Sequence, residues 1–153
     1  MLKFNSILSI TALILSFSFY ACDEDNPVND DGDNDHAEAV GLVVLQSETE
    51  IVRYENGAVT GEITLKAGEA TQLSVLFIND HDGELFSPDE DHHSLDWTVA
   101  DQTIADLSQD GITAAWEFQV SGEKVGNTTV ELKILHEDHA DFVSLPIPIR
   151  VTQ

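Results

Sequence analysis

Histidines and carboxylates are concentrated in two short segments of this chain, and five of its six histidines lie there. The first segment, 80–93, holds His81, His92 and His93, and the second, 136–141, holds His136 and His139. Acidic residues surround the histidines in both segments. Imidazole and carboxylate together suit zinc, copper and nickel at neutral pH. The composition therefore predicts that the two segments can bind a divalent transition metal.

The predicted metal ligands come from both segments, and the predicted ion is zinc or copper. The candidates are His81, Asp82, His92, His93, His136 and His139. Side chains on an extended strand alternate between its two faces, so residues 136 and 139 would point apart. Only a turn between them lets both reach one ion. The sixth histidine, His36, lies in an acidic stretch and is interpreted as a spectator.

Two other interpretations of the same residues stay open. Asp80 and Asp82, followed by Gly83, resemble a calcium loop in which glycine permits a sharp turn between oxygen ligands. The full EF-hand pattern fails, because Ile78 stands where the first aspartate belongs. The third interpretation is a solvated tip without an ion, since turns are polar and acidic neighbours keep histidines soluble.

Catalytic patterns are missing from the sequence, and no enzymatic activity is predicted. The run that begins His136-Glu137 places its next histidine one residue too early for a helical His-Glu-x-x-His zinc motif. There is no Gly-x-Ser-x-Gly nucleophile elbow and no glycine-rich phosphate loop. The formal net charge of −23 repels the phosphates of nucleic acids, so no nucleic acid partner is expected.

Short runs of alternating apolar and polar residues must position the two segments. They predict strands at 41–45, 51–54, 59–65, 73–77, 95–99, 104–107, 116–120, 130–134 and 145–151. Asn56-Gly57 is a strong hairpin signal. Pro146 and Pro148 lack N–H groups on one side of the last strand, which predicts an edge strand. The hairpin at 51–65 is interpreted as an extra element before the sandwich. The remaining pattern, seven or eight strands at this spacing, favours an all-β, antiparallel sandwich over residues 40–153.

The middle of the chain resembles the bacterial Ig-like (BIG2-type) domain. The likeness rests on Leu95 to Gly111, an aromatic strand followed by a short strand and an Asp-Gly turn, and on the Gly-Thr strand of Val125 to Leu132. The resemblance implies an Ig-like β-sandwich used for adhesion or as a spacer, without catalysis. Loops of such a sandwich cluster at its ends. On that topology the two histidine segments share one tip.

The N-terminus carries a secretion signal that ends in the chain's single cysteine, Cys22. Lys3 precedes an apolar run of about 15 residues, shorter than the ~20 that a spanning helix needs. Phe19-Tyr20-Ala21-Cys22 resembles the lipobox of bacterial lipoproteins, which implies a signal peptide over 1–21 and lipidation of Cys22. Residues 22–39 are predicted to be an acidic, disordered linker.

The acidic run after Cys22 resembles the surface-export signal of lipoproteins in Bacteroidetes-like bacteria. It implies an outer-membrane protein, anchored by lipid and exposed at the cell surface. A periplasm-facing protein is the alternative, because in enterobacterial lipoproteins an aspartate at the position of Asp23 favours inner-membrane retention. The predicted function is metal capture at the tip, with delivery to an outer-membrane transporter or surface protein. The alternative is an adhesion or interaction module, without metal or stabilised by calcium.

Overall fold

Two β-sheets make up the part of the chain that the computed structural model describes, residues 36–153. The strands are β1 Ala39–Gln46, β2 Thr49–Glu55, β3 Ala58–Gly61, β4 Ile63–Lys66, β5 Ala70–Asn79, β6 Leu85–Phe86, β7 His93–Val99, β8 Ala105–Ser108, β9 Glu117–Gly122, β10 Gly126–His136, β11 His139–Val143 and β12 Ile147–Thr152. The predicted signal peptide, Cys22 and the linker as far as residue 35 lie outside the described residues. Within residues 36–153 no helix has the length and hydropathy needed to cross a membrane.

The strand order confirms the predicted antiparallel, Ig-like β-sandwich. The first sheet runs β3-β2-β1-β5-β9-β8, and β6 also pairs with β5. The second runs β11-β10-β12-β4, and β7 also pairs with β10. Each pairing is antiparallel except the one between β12 and β4. The described residues contain twelve strands rather than seven or eight.

One predicted strand, 59–65, is divided between the two sheets. β3 ends at Gly61 and pairs with β2, whereas β4 begins at Ile63 and pairs with β12. Gly61 has a φ of 83°, and a Cβ there would lie 2.1 Å from the carbonyl oxygen of Ile51. Only glycine fits both conditions, so this residue permits the chain to change sheets.

The predicted edge position of the last strand is wrong. β12 lies between β10 and β4. The ladder with β4 begins only at Ile149, which follows Pro146 and Pro148. The prolines therefore precede the ladder with β4, and their missing N–H groups cost no hydrogen bond of that ladder.

Alternating apolar side chains from both sheets form one core. The fully buried members include Phe77 on β5, Phe118 on β9, Leu132 and Ile134 on β10 and Ile149 on β12. Burying a side chain of this size contributes about 1.5–3 kcal/mol. Both tryptophans pack on this core as expected, Trp116 buried and Trp97 partly exposed.

Aromatic rings extend the core toward the histidine-bearing end of the sandwich. The Phe77 ring lies 5.3 Å from Trp116 and 5.7 Å from Phe142 between ring centroids, both edge-on. Trp116 Nε1 donates a hydrogen bond of 3.0 Å to the carbonyl oxygen of Pro88. This bond fixes the first histidine segment to the core, and Phe142 does the same for the second.

Candidate metal centre at the tip

A tight hairpin between β10 and β11 carries the second histidine segment. Only Glu137 and Asp138 separate the two strands, and Glu137 has a φ of 52°. The turn places His136 directly opposite His139 on the neighbouring strand. Residues paired in this way project from the same face of a sheet. The structure therefore contains the turn that is needed for the imidazoles of His136 and His139 to reach one ion.

The same hairpin contains a β-bulge, and Asp141 is the bulged residue. Ile134 pairs with Phe142, but Leu135 pairs with Ala140, so Asp141 is the extra residue of β11. A bulge shifts the alternation of side chains by one position. As a result His139 and Phe142, three residues apart, both lie on the core-facing side.

The carboxylate of Asp141 is buried, with only 3% of its side chain exposed, and is surrounded by nitrogen atoms. Its Oδ1 lies 2.9 Å from His36 Nδ1 and 3.1 Å from His139 Nε2. Its Oδ2 accepts a hydrogen bond of 2.9 Å from the backbone N–H of Ala37. The same oxygen lies 3.3 Å from His93 Nε2. Asp141 thus joins two loops and the segment that precedes β1.

These contacts determine the acidity of Asp141. Burial raises the pKa of its carboxyl group. The hydrogen bonds from Ala37 and His36, together with the charges of His36 and His136, outweigh burial and leave the pKa lower than its ordinary value. Asp141 is consequently a carboxylate at neutral pH, available as a metal ligand.

The first histidine segment meets the second across the β7–β10 ladder. His93, the first residue of β7, pairs with His136 at the end of β10. Their rings stack with centroids 4.9 Å apart, and both residues are buried. His92 is exposed, with its ring centroid 6.5 Å from that of His136. The predicted convergence of the two segments is therefore confirmed.

Four side chains among residues 36–153 form a group able to hold a metal ion: His36, His136, His139 and Asp141. One donor atom from each lies within 4.8 Å of the donor atom of each of the others. His136 and His139 belong to the set predicted from sequence, whereas His36 and Asp141 do not. The predicted placement of His36 in the linker, away from the tip, is wrong, because its ring centroid lies 5.3 Å from that of His136 and 5.2 Å from that of His139.

The other predicted ligands lie near this group without joining it. His92 and His93 flank His136, as described above. Asp82 accepts a hydrogen bond of 2.9 Å from the N–H of Glu84 and so stabilises the turn after β5. His81 belongs to a second, exposed group with Glu38 and Asp80.

His81 is an ion-pairing residue of that second group. Its Nδ1 lies 2.5 Å from an oxygen of Asp80 and 2.9 Å from an oxygen of Glu38. The hydrogen bond and charge of Asp80, then the charge of Glu38, raise the pKa of His81. His81 therefore contacts Asp80 and Glu38 rather than the four residues around Asp141.

Comparisons with known proteins add little beyond these observations. No model of a known protein family matches the chain, and no curated protein sequence matches it. The resemblance to the bacterial Ig-like type therefore stays a prediction.

Among solved structures, the chain is similar to domains of the S-layer protein SbsC. It is 18% identical to domains 5–6 over 61% of this chain and 40% of that one, with a TM-score of 0.42. It is 14% identical to domains 4 and 5 over 73% of this chain and 75% of that one, with a TM-score of 0.43. The fibronectin(III)-like modules of Clostridium thermocellum CbhA are 14% identical over 74% and 77% of the two chains, with a TM-score of 0.23. The assignment of the β-sandwich fold rests on the strand pairing of this chain.

Replacing Asp141 by asparagine tests the charge at the centre of the tip. We expect Asp141→Asn to lower the free energy of unfolding by about 2 kcal/mol at pH 6, because hydrogen bonds to a charged group contribute ~1.5–3 kcal/mol. A carboxyl group whose pKa is lowered on folding stabilises the protein above its unfolded pKa of ~3.9, and this is lost as the pH falls through the folded pKa. The difference should therefore shrink below about pH 4.

Urea denaturation between pH 3 and 6, followed by tryptophan fluorescence, measures this difference. Asp138→Asn in the same hairpin is the matched control, since 98% of that side chain is exposed and the substitution should have little effect. If Asp141→Asn lowers the free energy of unfolding as much at pH 3 as at pH 6, the stabilisation comes from the shape of the Asp141 side chain and not from its charge.

Proposed function

We propose that this protein is a lipid-anchored surface protein that captures a divalent transition metal, zinc or copper, at the tip of its β-sandwich. The ligands are His36, His136, His139 and Asp141. The observation that carries the proposal is the mutual proximity of their four donor atoms, all within 4.8 Å of one another. Three imidazoles and one carboxylate complete a four-coordinate site.

The spacing of the donor atoms fits an ion of this size. Bonds of ~2.0–2.1 Å in tetrahedral geometry put the ligand atoms about 3.3 Å apart. His36 Nδ1 and His139 Nε2 lie 3.5 Å apart, and each is about as far from Asp141 Oδ1, at 2.9 and 3.1 Å. Three ligands thus need little rearrangement, and His136 completes the set from the neighbouring strand.

The chemistry of the group favours a transition metal over calcium. Calcium takes ~6–8 oxygen ligands and often a bidentate carboxylate. Here Asp141 Oδ2 already accepts the N–H of Ala37, so Oδ1, which faces His36 and His139, would be the one coordinating oxygen. The chain's single methionine is Met1 and its single cysteine is Cys22, so the described residues offer no sulfur ligand. Imidazole-rich sites of this kind suit zinc and copper(II).

Exposure and charge suit a site that loads and releases its ion. The side chains of His36 and His139 are about half exposed, at 55% and 48%, so the ion would be reachable from solvent. Exposed carboxylates lie in both histidine segments, at 80–91 and at 137–138, and the chain has a net charge of −23. Such a field concentrates cations near the tip. A transporter or surface protein in the outer membrane is the proposed recipient.

Calorimetric titration with zinc, copper(II) and calcium tests the metal site. We expect zinc or copper to bind with micromolar or tighter affinity at pH 7.5, and His136→Ala or His139→Ala to weaken binding about tenfold or more, since each removes a ligand. His92→Ala, in the same tip but outside the group, is the matched control and should change affinity little. Binding should weaken steeply between pH 7 and 5, because protons compete for imidazole nitrogen.

Two outcomes of the titration would contradict the proposal. Flat titrations with all three ions would leave a non-catalytic interaction module as the function. Binding lost equally in His92→Ala and His139→Ala would assign the ion to a different set of histidines.

Replacing Cys22 tests the proposed location. We expect Cys22→Ser to lose incorporation of a labelled fatty acid and to leave the membrane fraction, because the thiol is the acylation site and several acyl chains are needed for stable anchoring. Asn26→Ala, four residues further on, should keep both properties. Protease treatment of intact cells distinguishes surface exposure from a periplasm-facing protein. Unchanged labelling in Cys22→Ser would contradict the lipid anchor.

A further inference from the structure

We infer that a bound metal ion fastens the segment before β1 to the tip, so that ion occupancy controls how firmly the N-terminal end of the domain is held. This segment, residues 36–38, is named the strap. The inference rests on the proposed function, because it requires an ion at the four-ligand group. It adds regulation, since the ion would act on chain conformation as well as being carried.

The strap contacts both histidine-bearing loops through polar groups, and Ala37 packs against the core. His36 Nδ1 lies 2.9 Å from Asp141 Oδ1, and the N–H of Ala37 donates to the other oxygen of that carboxylate. The carbonyl oxygen of Glu38 accepts a 3.1 Å hydrogen bond from the N–H of Asp80. His36 and Glu38 are exposed and Ala37 is partly exposed. The strap lies outside the strand ladders, so it can open by breaking these contacts without disrupting a sheet.

The four proposed ligands are held by the fold in two different ways. His136 and His139 are paired with each other across the hairpin, and Asp141 is buried in its bulge. His36 precedes the first strand, which begins at Ala39. An ion bound by all four therefore connects a segment outside the sheets to a position fixed by strand pairing.

Thermodynamic linkage makes this connection quantitative. If the closed strap contributes one ligand, the closed form binds the ion more tightly than the open form. The ion then suppresses opening by that same ratio of affinities. His36→Ala imitates the open form, since it removes the strap's ligand without altering a strand. The factor by which zinc slows opening should therefore match the factor by which His36→Ala weakens zinc binding.

The experiment is amide hydrogen exchange, followed by NMR, on the full chain in detergent with and without saturating zinc. The reporters are the amides of Ala37 and Ala39, with the N–H of Val75, bonded to the Trp116 carbonyl in the sandwich, as an internal reference. We expect zinc to slow exchange at both reporters about tenfold or more, within the usual range of coupling between sites.

Two variants separate the inference from simple metal binding. His139→Ala should still show slowed exchange once saturated with zinc, because the strap keeps its ligand. His36→Ala should bind zinc more weakly and show no slowing at saturation. Zinc that binds by calorimetry without slowing exchange at Ala37, or slows it equally in His36→Ala, would overturn the inference while leaving the proposed function intact. Absence of zinc binding would overturn both.

Discussion

The buried carboxylate of Asp141 is the group on which the whole tip depends. A charge removed from water costs several kcal/mol unless hydrogen bonds and opposite charges compensate it. With 3% of its side chain exposed, Asp141 obtains that compensation from His36, from the N–H of Ala37, from His139 of its own strand and from His93 of β7. The requirement to satisfy one carboxylate therefore draws the imidazole nitrogens within coordinating distance of one another.

Strand pairing and core packing in the sandwich hold the side chains of the tip in a defined geometry. His93, His136 and His139 occupy one row across three hydrogen-bonded strands, β7, β10 and β11. Beneath them Phe142, immediately after Asp141, packs edge-on against Phe77. Strand pairing fixes the row and aromatic packing fixes the bulge. Paired strands and a packed core open less readily than surface segments, so most of the site is held on the firm part of the fold.

Alternation of apolar residues predicts the sandwich and its core, and the Ig-like topology predicts that the two histidine segments meet. Only two of the four proposed ligands could be predicted from the sequence. His136 and His139 are three residues apart with a turn between them, which is a readable pattern. The bulge at Asp141 has no sequence signature, because it depends on how Ile134 and Phe142 pack rather than on local preference. His36 lies in an acidic stretch without periodicity, and long-range contacts such as those of His36 and Ala37 with Asp141 bring it to the tip. The inner position of β12 was missed because it depends on a parallel partner, β4, remote in sequence.

The proposed metal centre differs from a closed structural site. Its carboxylate is buried and fixed, whereas two of its imidazoles are about half exposed. The most direct test of the account is X-ray absorption spectroscopy of the zinc-loaded protein. The account predicts a first shell of three imidazole nitrogens and one carboxylate oxygen at ~2.0–2.1 Å. A shell of oxygen atoms alone, or one with fewer than three imidazoles, would contradict it.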